Sequence, residues 1–296
     1  MSLQIKNIKK SYGNNVVIDD MSATIENGIY GFLGANGVGK TTLFKIISGF
    51  LTDYQGTVIY PDIDDKKDVL LGFLPQKFNG YPDMSICEFL SYLGNIKSNA
   101  SQNRINNDID EKLNLFNLTD LKHKKLKRLS GGQLRRVGLA QAFLLNPKII
   151  MLDEPTTGLD PTERINFKNY ISNFGHEQII LISTHIVTDL EFISKEIFIL
   201  KDGHFVMNGT EKDLINRCDD FVWEANFNNQ LDMHNELKVH NKTEDYVVSM
   251  VYESEGTIKA RIISSTRPVP NAVKVKPTLN DVYLINFKKE AHSNVK

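Results

Sequence analysis

The sequence predicts an α/β protein: a largely parallel sheet interleaved with helices, followed by a smaller α+β segment. Three observations carry this. Up to about residue 217, short apolar runs alternate with helix-patterned stretches. One of those runs ends in a glycine-rich loop that opens directly onto helical spacing. Beyond Cys218 the pattern changes to short alternating stretches.

The chain begins with strand-like alternation, Leu3-Gln4-Ile5-Lys6-Asn7-Ile8. A turn at Gly13-Asn14-Asn15 leads to Val16-Val17-Ile18, so the two runs form a hairpin. Ile29–Leu33 is a short apolar strand. From Thr42 the apolar residues Leu43, Phe44, Ile46 and Ile47 follow a helical period that Ser48-Gly49 ends. Residues from about 83 to 146 read as mostly helical, with Ile86, Phe89, Leu90 and Leu93 on one face. Lys148–Leu152, Ile179–Ser183 and Ile197–Leu200 are buried strands. After Cys218, strand-like stretches occupy Phe221–Phe227, Asp245–Tyr252, Thr257–Ile263 and Ala272–Val275. A short closing helix starts at Thr278, its N-cap, with Asp281 at the third helical position.

Composition bounds the function. The 296 residues include 35 Lys+Arg against 36 Asp+Glu, a formal charge of −1. With 41% apolar and 24% charged residues, disorder of the whole chain is excluded. Near-neutrality argues against a broad nucleic-acid surface, so no nucleic-acid partner is expected. Cys87 and Cys218 form no CxxC pair and no disulfide framework, which points to a reducing compartment. No signal-peptide h-region is visible, and no run reaches the ~18 consecutive apolar residues of a membrane helix. If the protein works at a membrane, another chain must cross it.

Gly34-Ala35-Asn36-Gly37-Val38-Gly39-Lys40-Thr41 fits G-x-x-x-x-G-K-[ST] between a strand and a helix. Glycines at these positions let backbone N–H groups turn inward around a phosphate chain, and the helix adds its positive N-terminal end. In this pattern Lys40 reaches the β- and γ-phosphates and the Thr41 hydroxyl ligates Mg²⁺. Ile149-Ile150-Met151-Leu152-Asp153-Glu154 ends an apolar run in two carboxylates. Beside a phosphate loop, Asp153 is the expected Mg²⁺ partner and Glu154 the candidate base for an attacking water. Leu129-Ser130-Gly131-Gly132-Gln133 reads either as an ordinary capped helix start or as a second anion site. The second reading makes sense if it closes over the phosphates from another subunit.

In this order the motifs resemble those of the ATPase subunit of an ATP-binding cassette (ABC) transporter. The resemblance covers about residues 1–217 and includes GANGVGKTT, Leu74-Pro75-Gln76, LSGGQ, IIMLDEP, Thr156–Asp160 and Ser183-Thr184-His185. It implies a P-loop NTPase core of ABC type with an antiparallel β subdomain and a helical subdomain at about 77–148. The remaining residues, 218–296, would form an accessory domain. It implies ATP and Mg²⁺ as ligands and a second ATPase subunit bound head to tail, as a homodimer. The other partner is an integral membrane permease, and the location is cytoplasmic, on the inner face of the membrane.

The resemblance also implies roles. Gly34 to Thr42 cradle the phosphates and Tyr12 lies under the adenine; on its own it is also readable as a surface tyrosine. Gln76 senses Mg²⁺ and the attacking water, and Thr41, Gln76 and Asp153 serve the metal. Ser130, Gly131, Gly132 and Gln133 reach the γ-phosphate across the dimer, and Asp160 communicates between the two sites. Glu154 and His185 are catalytic. The ending Lys276–Leu284 resembles the close of the accessory domain of bacterial exporter ATPases, which favours export.

Other features leave alternatives open. Lys122-His123-Lys124-Lys125 and Lys127-Arg128 read as a solvated loop or as a patch drawn to anionic lipid or nucleotide. Asn241-Lys242-Thr243-Glu244 approximates a guanine-reading motif but ends in Glu. ABC-type ATPases that act on DNA or ribosomes are a second class, though this chain has one cassette and no heptad run. A regulatory subunit that binds ATP without transport is a third.

Overall fold

The computed structural model describes residues 1–61, 70–240, 246–254 and 256–287. The Asn241–Glu244 stretch lies outside the described residues. The chain divides into two compact units, Met1–Val206 and Met207–Lys296.

The first unit opens with β1 (Ser2–Tyr12) and β2 (Asn15–Glu26), the expected hairpin, turned at Gly13. Then come β3 (Gly28–Leu33), α1 (Lys40–Ile47), β4 (Gln55–Ile59) and β5 (Leu71–Leu74). Three helices follow: α2 (Ile86–Lys97), α3 (Gln102–Leu115) and α4 (Gly131–Phe143). The unit continues through β6 (Ile149–Asp153), α5 (Pro161–Ser172), β7 (Ile179–Thr184) and β8 (Glu196–Lys201), and β9 (His204–Gly209) spans its end at Val206.

Two sheets organise it. β2, β1 and β4 make an antiparallel three-stranded sheet, in that order. The second sheet has six strands in the order β5-β6-β7-β3-β8-β9, and its pairings from β5 to β8 are all parallel. β3, β6 and β7 are buried along their whole length. That explains why they read as unbroken apolar runs: both faces of a parallel sheet are covered. One core joins the two sheets. Ile5 and Ile8 of β1, Ile25 of β2, Phe44 and Ile47 of α1, Met151 of β6 and Leu181 of β7 pack together in it. Phe32 stands at its centre, edge-on to Phe44 at 5.5 Å and stacked on Phe198 at 5.3 Å. The helix that follows the glycine loop is therefore locked by its apolar face.

α4 is anchored on the sheet edge at β5. A Cβ on Gly72 would lie 1.8 Å from the Ala142 carbonyl oxygen, so only glycine admits this approach. Gln141 of α4 adds a side-chain bond to the Phe73 carbonyl at 2.6 Å. Ser130 caps α4 as the sequence suggests, in a capping box with Gln133, and Ser85 makes a capping box with Glu88 at the start of α2. The Ile86, Phe89, Leu90 stripe of α2 is buried.

The second unit contains α6 (Glu211–Asn216), β10 (Val222–Phe227), α7 (Gln230–His240), β11 (Tyr246–Ser254), β12 (Thr257–Ser264), β13 (Val273–Lys274) and α8 (Leu279–Asn286). Its strands pair antiparallel in the order β11-β12-β10-β13. Leu237 of α7 packs with Ala225, Phe227, Ala260 and Ile262 in a separate core. α8 begins at Thr278 with the expected capping box to Asp281. Among the described residues no helix is long and apolar enough to cross a membrane.

Candidate functional site

β3 delivers the glycine loop to the C-terminal edge of the parallel sheet, and β6 and β7 deliver their ends beside it. This is where an open α/β sheet binds ligands. Gly39 has φ 105°, and a Cβ there would meet the Val17 carbonyl oxygen at 2.7 Å. Glycine is required on both counts. α1 starts at the next residue, so its unpaired N–H groups face the loop. A cavity of about 200 Å³ opens there, lined by Asn36, Gly37, Gly39, Lys40, Thr41, Thr42, Gln76 and Glu154. Residues far apart in the chain thus meet at one phosphate-sized space.

Lys40 is buried, and its ammonium donates to the carbonyls of Gly34 at 2.7 Å and Ala35 at 2.9 Å. It lies 3.5 Å from Glu154 Oε1. Burial lowers its pKa, against the upward pull of Glu154 and Asp153. The Thr41 hydroxyl donates to Asp153 Oδ2 at 2.9 Å, while the Ser183 hydroxyl donates to Asp153 Oδ1. The Thr41 hydroxyl paired with the Asp153 carboxylate, with Gln76 lining the cavity beside Thr41, is the kind of hard-oxygen donor set that Mg²⁺ takes.

Glu154 has a left-handed backbone, φ 48°, unusual for a residue with a side chain. The surroundings hold it there. Its N–H donates to the Ser183 carbonyl at 2.9 Å, and its own carbonyl accepts from Arg135 Nη2 at 2.6 Å. Glu154 is 3% exposed, and its Oε2 is 2.8 Å from His185 Nδ1. Lys40 and His185 thus flank the same carboxylate, each on its own oxygen. Such strain, over-determined by hydrogen bonds, concentrates where geometry matters to function.

Known proteins are similar to this chain in sequence and in fold. The family model for ABC transporters matches residues 18–157. The ABC transporter ATP-binding protein YxlF of Bacillus subtilis is 31% identical over 253 residues, covering 85% of this chain and 83% of that protein. LptB, the ATP-binding protein of the lipopolysaccharide export system of Escherichia coli, is 31% identical, covering 72% and 92%. TupC, of the tungstate uptake system of Peptoclostridium acidaminophilum, is 35% identical, covering 69% and 96%.

The chain belongs to the ABC transporter ATP-binding family.

Its fold agrees with that of the bacterial cassette MJ0796 in its dimeric structure. The TM-score is 0.61 at 25% identity, covering 70% of this chain and 97% of that one. A second dimeric MJ0796 structure, in a post-hydrolysis state with ADP and Pi, matches at the same identity. This ABC subunit is therefore of the ATP-hydrolysing class that powers transporters.

The other motif residues of this ABC chain lie elsewhere in the fold. Ser130 is the N-cap of α4, its hydroxyl accepting from the Gln133 N–H at 3.3 Å while Gln133 Oε1 accepts from the Ser130 N–H at 3.1 Å. None of Ser130, Gly131, Gly132 and Gln133 lines the cavity that holds Lys40 and Glu154. Asp160 caps α5, accepting from the Glu163 N–H at 2.9 Å. Tyr12 ends β1, half-exposed, with the Lys10 ammonium 4.8 Å from its ring centre.

Two features escaped the sequence reading. Arg135 of α4 is buried and donates to the carbonyls of Pro75, Gln76, Asp153, Glu154 and Pro155. One guanidinium thus fixes the backbone on both sides of the cavity. Burial lowers its pKa to about 10, so it stays charged at neutral pH. The second is the role of Ser183, named in the sequence only within the Ser183-Thr184-His185 motif: it bridges the two carboxylate-bearing residues. Its hydroxyl donates to Asp153 and accepts from the Glu154 N–H at 3.3 Å. The run of apolar residues before Ser183 signalled only a buried strand.

Proposed function

We propose that this ABC ATPase powers export through a separate membrane permease, by ATP-driven head-to-tail closure of two cassettes on the cytoplasmic face of a membrane. The ATPase domain is residues 1–217, with its helical subdomain at about 77–148, and 218–296 is an accessory domain. The observation that carries the hydrolytic reading is Glu154. Its carboxylate is held by strained backbone against His185 at 2.8 Å, on the cavity shared with Lys40, Thr41 and Gln76.

The geometry supports the roles given to the phosphate loop and the acidic pair, and the family resemblance supports those given to Tyr12, Ser130 to Gln133 and Asp160. Backbone N–H groups of Gly37 to Thr42 and the start of α1 hold the phosphates, with Lys40 as counter-charge. Thr41, Asp153 and Gln76 would hold Mg²⁺, which neutralises charge developing on the phosphate oxygens. Glu154 accepts the proton of the attacking water, and His185 keeps that carboxylate oriented. Tyr12 offers its ring to the adenine. Ser130, Gly131, Gly132 and Gln133 of a second chain present backbone donors and a hydroxyl to the γ-phosphate, and Asp160 lies on the path between the sites. Hydrolysis removes the ligand that favours the closed dimer.

Support for export comes from the closing segment Lys276–Leu284. The relatives fall on both sides: LptB belongs to an export system, TupC to an uptake system.

The test is steady-state turnover with Mg²⁺ and ATP. Glu154→Gln lowers kcat by about 10²–10⁴-fold with ATP still bound. Lys40→Ala weakens ATP binding itself by about tenfold or more, since it deletes a charge-assisted phosphate contact. Unchanged turnover in Glu154→Gln removes that residue from the mechanism. Purification of the tagged chain from membranes tests the partner. Recovery with an integral membrane protein of exporter type supports the proposal, and recovery with ribosomes or DNA contradicts it.

A further inference from the structure

Asp189 lies in the 3-10 turn Val187–Asp189 after β7 and is 2% exposed. Its Oδ2 accepts the Thr184 hydroxyl at 3.0 Å and, at closer range, the Thr156 hydroxyl. Thr184 immediately precedes His185, and Thr156 is two residues past Glu154. Both threonines are buried. Thr184 Oγ1 also accepts from the Ile186 N–H at 2.9 Å, and the Asp189 N–H returns to the Ile186 carbonyl at 3.1 Å. The backbone on either side of His185 is thereby tied to the same carboxylate that ties the loop behind Glu154. Burying a carboxylate is costly unless its hydrogen bonds are made. Here the bonds to Oδ2 come from the two loops that carry the hydrolytic pair.

We infer that Asp189 is a positioning residue for hydrolysis: one carboxylate oxygen sets the loop of Glu154 and the loop of His185 in a common register. The inference rests on reading Glu154 and His185 as the hydrolytic pair. Their contact then depends on the buried Thr156–Asp189–Thr184 link as well as on the two side chains. Arg164 and Glu154 are the charged groups whose fields reach Asp189, with opposite effects on its ionisation.

Three kinds of variant test it. Asp189→Leu removes the acceptor; Asp189→Asn leaves one oxygen able to accept both hydroxyls; Thr156→Val and Thr184→Val each delete one donor. Asp189→Leu is expected to lower kcat by about 10–100-fold, the scale of a small misplacement of catalytic groups. ATP affinity, read by equilibrium binding, stays within about twofold, because the phosphate cradle is untouched. Asp189→Asn restores most of kcat, and the valine variants fall between. Adding Thr156→Val to Asp189→Leu costs little more, since the bond it would break is already gone.

Amide exchange gives a readout independent of turnover. In Asp189→Leu, protection falls together in residues 154–159 and 183–188. Wild-type kcat in Asp189→Leu overturns the inference, as does a parallel loss of kcat and ATP affinity, or exchange rising in one segment alone. If Asp189→Leu does not fold, Asp189→Asn and the valine variants carry the same comparisons. A wild-type chain without turnover defeats the hydrolytic reading instead, and the exchange pattern still decides the link.

Discussion

At the scale of single residues, the site depends on groups whose partners come from distant parts of the chain. Arg135 is the clearest case. Its guanidinium pairs with the carbonyls of Gln76 and Glu154, the two residues on opposite sides of the phosphate cavity. Lysine has neither the fork geometry nor the number of donors. Arg135→Lys is therefore expected to destabilise the protein by about 2 kcal/mol or more through buried carbonyls left unpaired, measured by denaturant midpoint. An unchanged midpoint would show that those carbonyls find other partners. Tyr12 makes a gentler prediction. Stacking tolerates any base and is worth ~1–3 kcal/mol, so ATP and GTP should bind with similar affinity. A strong GTP preference would rule out the adenine role. Lys40, Thr41, Asp153 and Glu154 were legible because local spacing announces them. Arg135 and Asp189 were not, because an arginine inside a helix and an aspartate after a strand take their meaning from what folds against them.

At the scale of elements, the helix caps were readable and the cross-links were not. The α8 cap is written in Thr278 and Asp281, three residues apart. The sequence did not reveal that Arg261 of β12 reaches the same carboxylate, with Nη2 at 2.7 Å from Asp281 Oδ2. Burial pushes the Asp281 pKa up, but the bonds from Arg261 and Thr278 outweigh it and leave the net shift downward from 3.8. Stability from this group is thus fully present above pH 3.8 and is lost as the pH falls through the lower folded value. Trp223, the chain's 1 tryptophan, lies in β10 and reports on this unit. Denaturation followed by Trp223 fluorescence should show an acid loss of stability that Asp281→Asn diminishes. An identical acid profile in the variant would contradict the assignment. α7 escaped the reading because its apolar face is narrow: Leu237 is buried, but Leu231 and Val239 are exposed, so helical periodicity was faint.

At the scale of the whole molecule, the parallel order of strands was legible from buried apolar runs, since covered sheets leave that signature. Under the two-cassette proposal, a single chain does not enclose the phosphates completely. Ser130 to Gln133, at the start of α4, are not among the residues that line the cavity beside Lys40 and Glu154. The proposed engine therefore needs a second copy to supply those donors. The most direct measurement is the molar mass in solution of Glu154→Gln with Mg²⁺ and ATP, by light scattering. The account predicts twice the chain mass with ATP and the single-chain mass without it. A variant that binds ATP yet keeps the single-chain mass at high protein concentration would contradict the two-chain site.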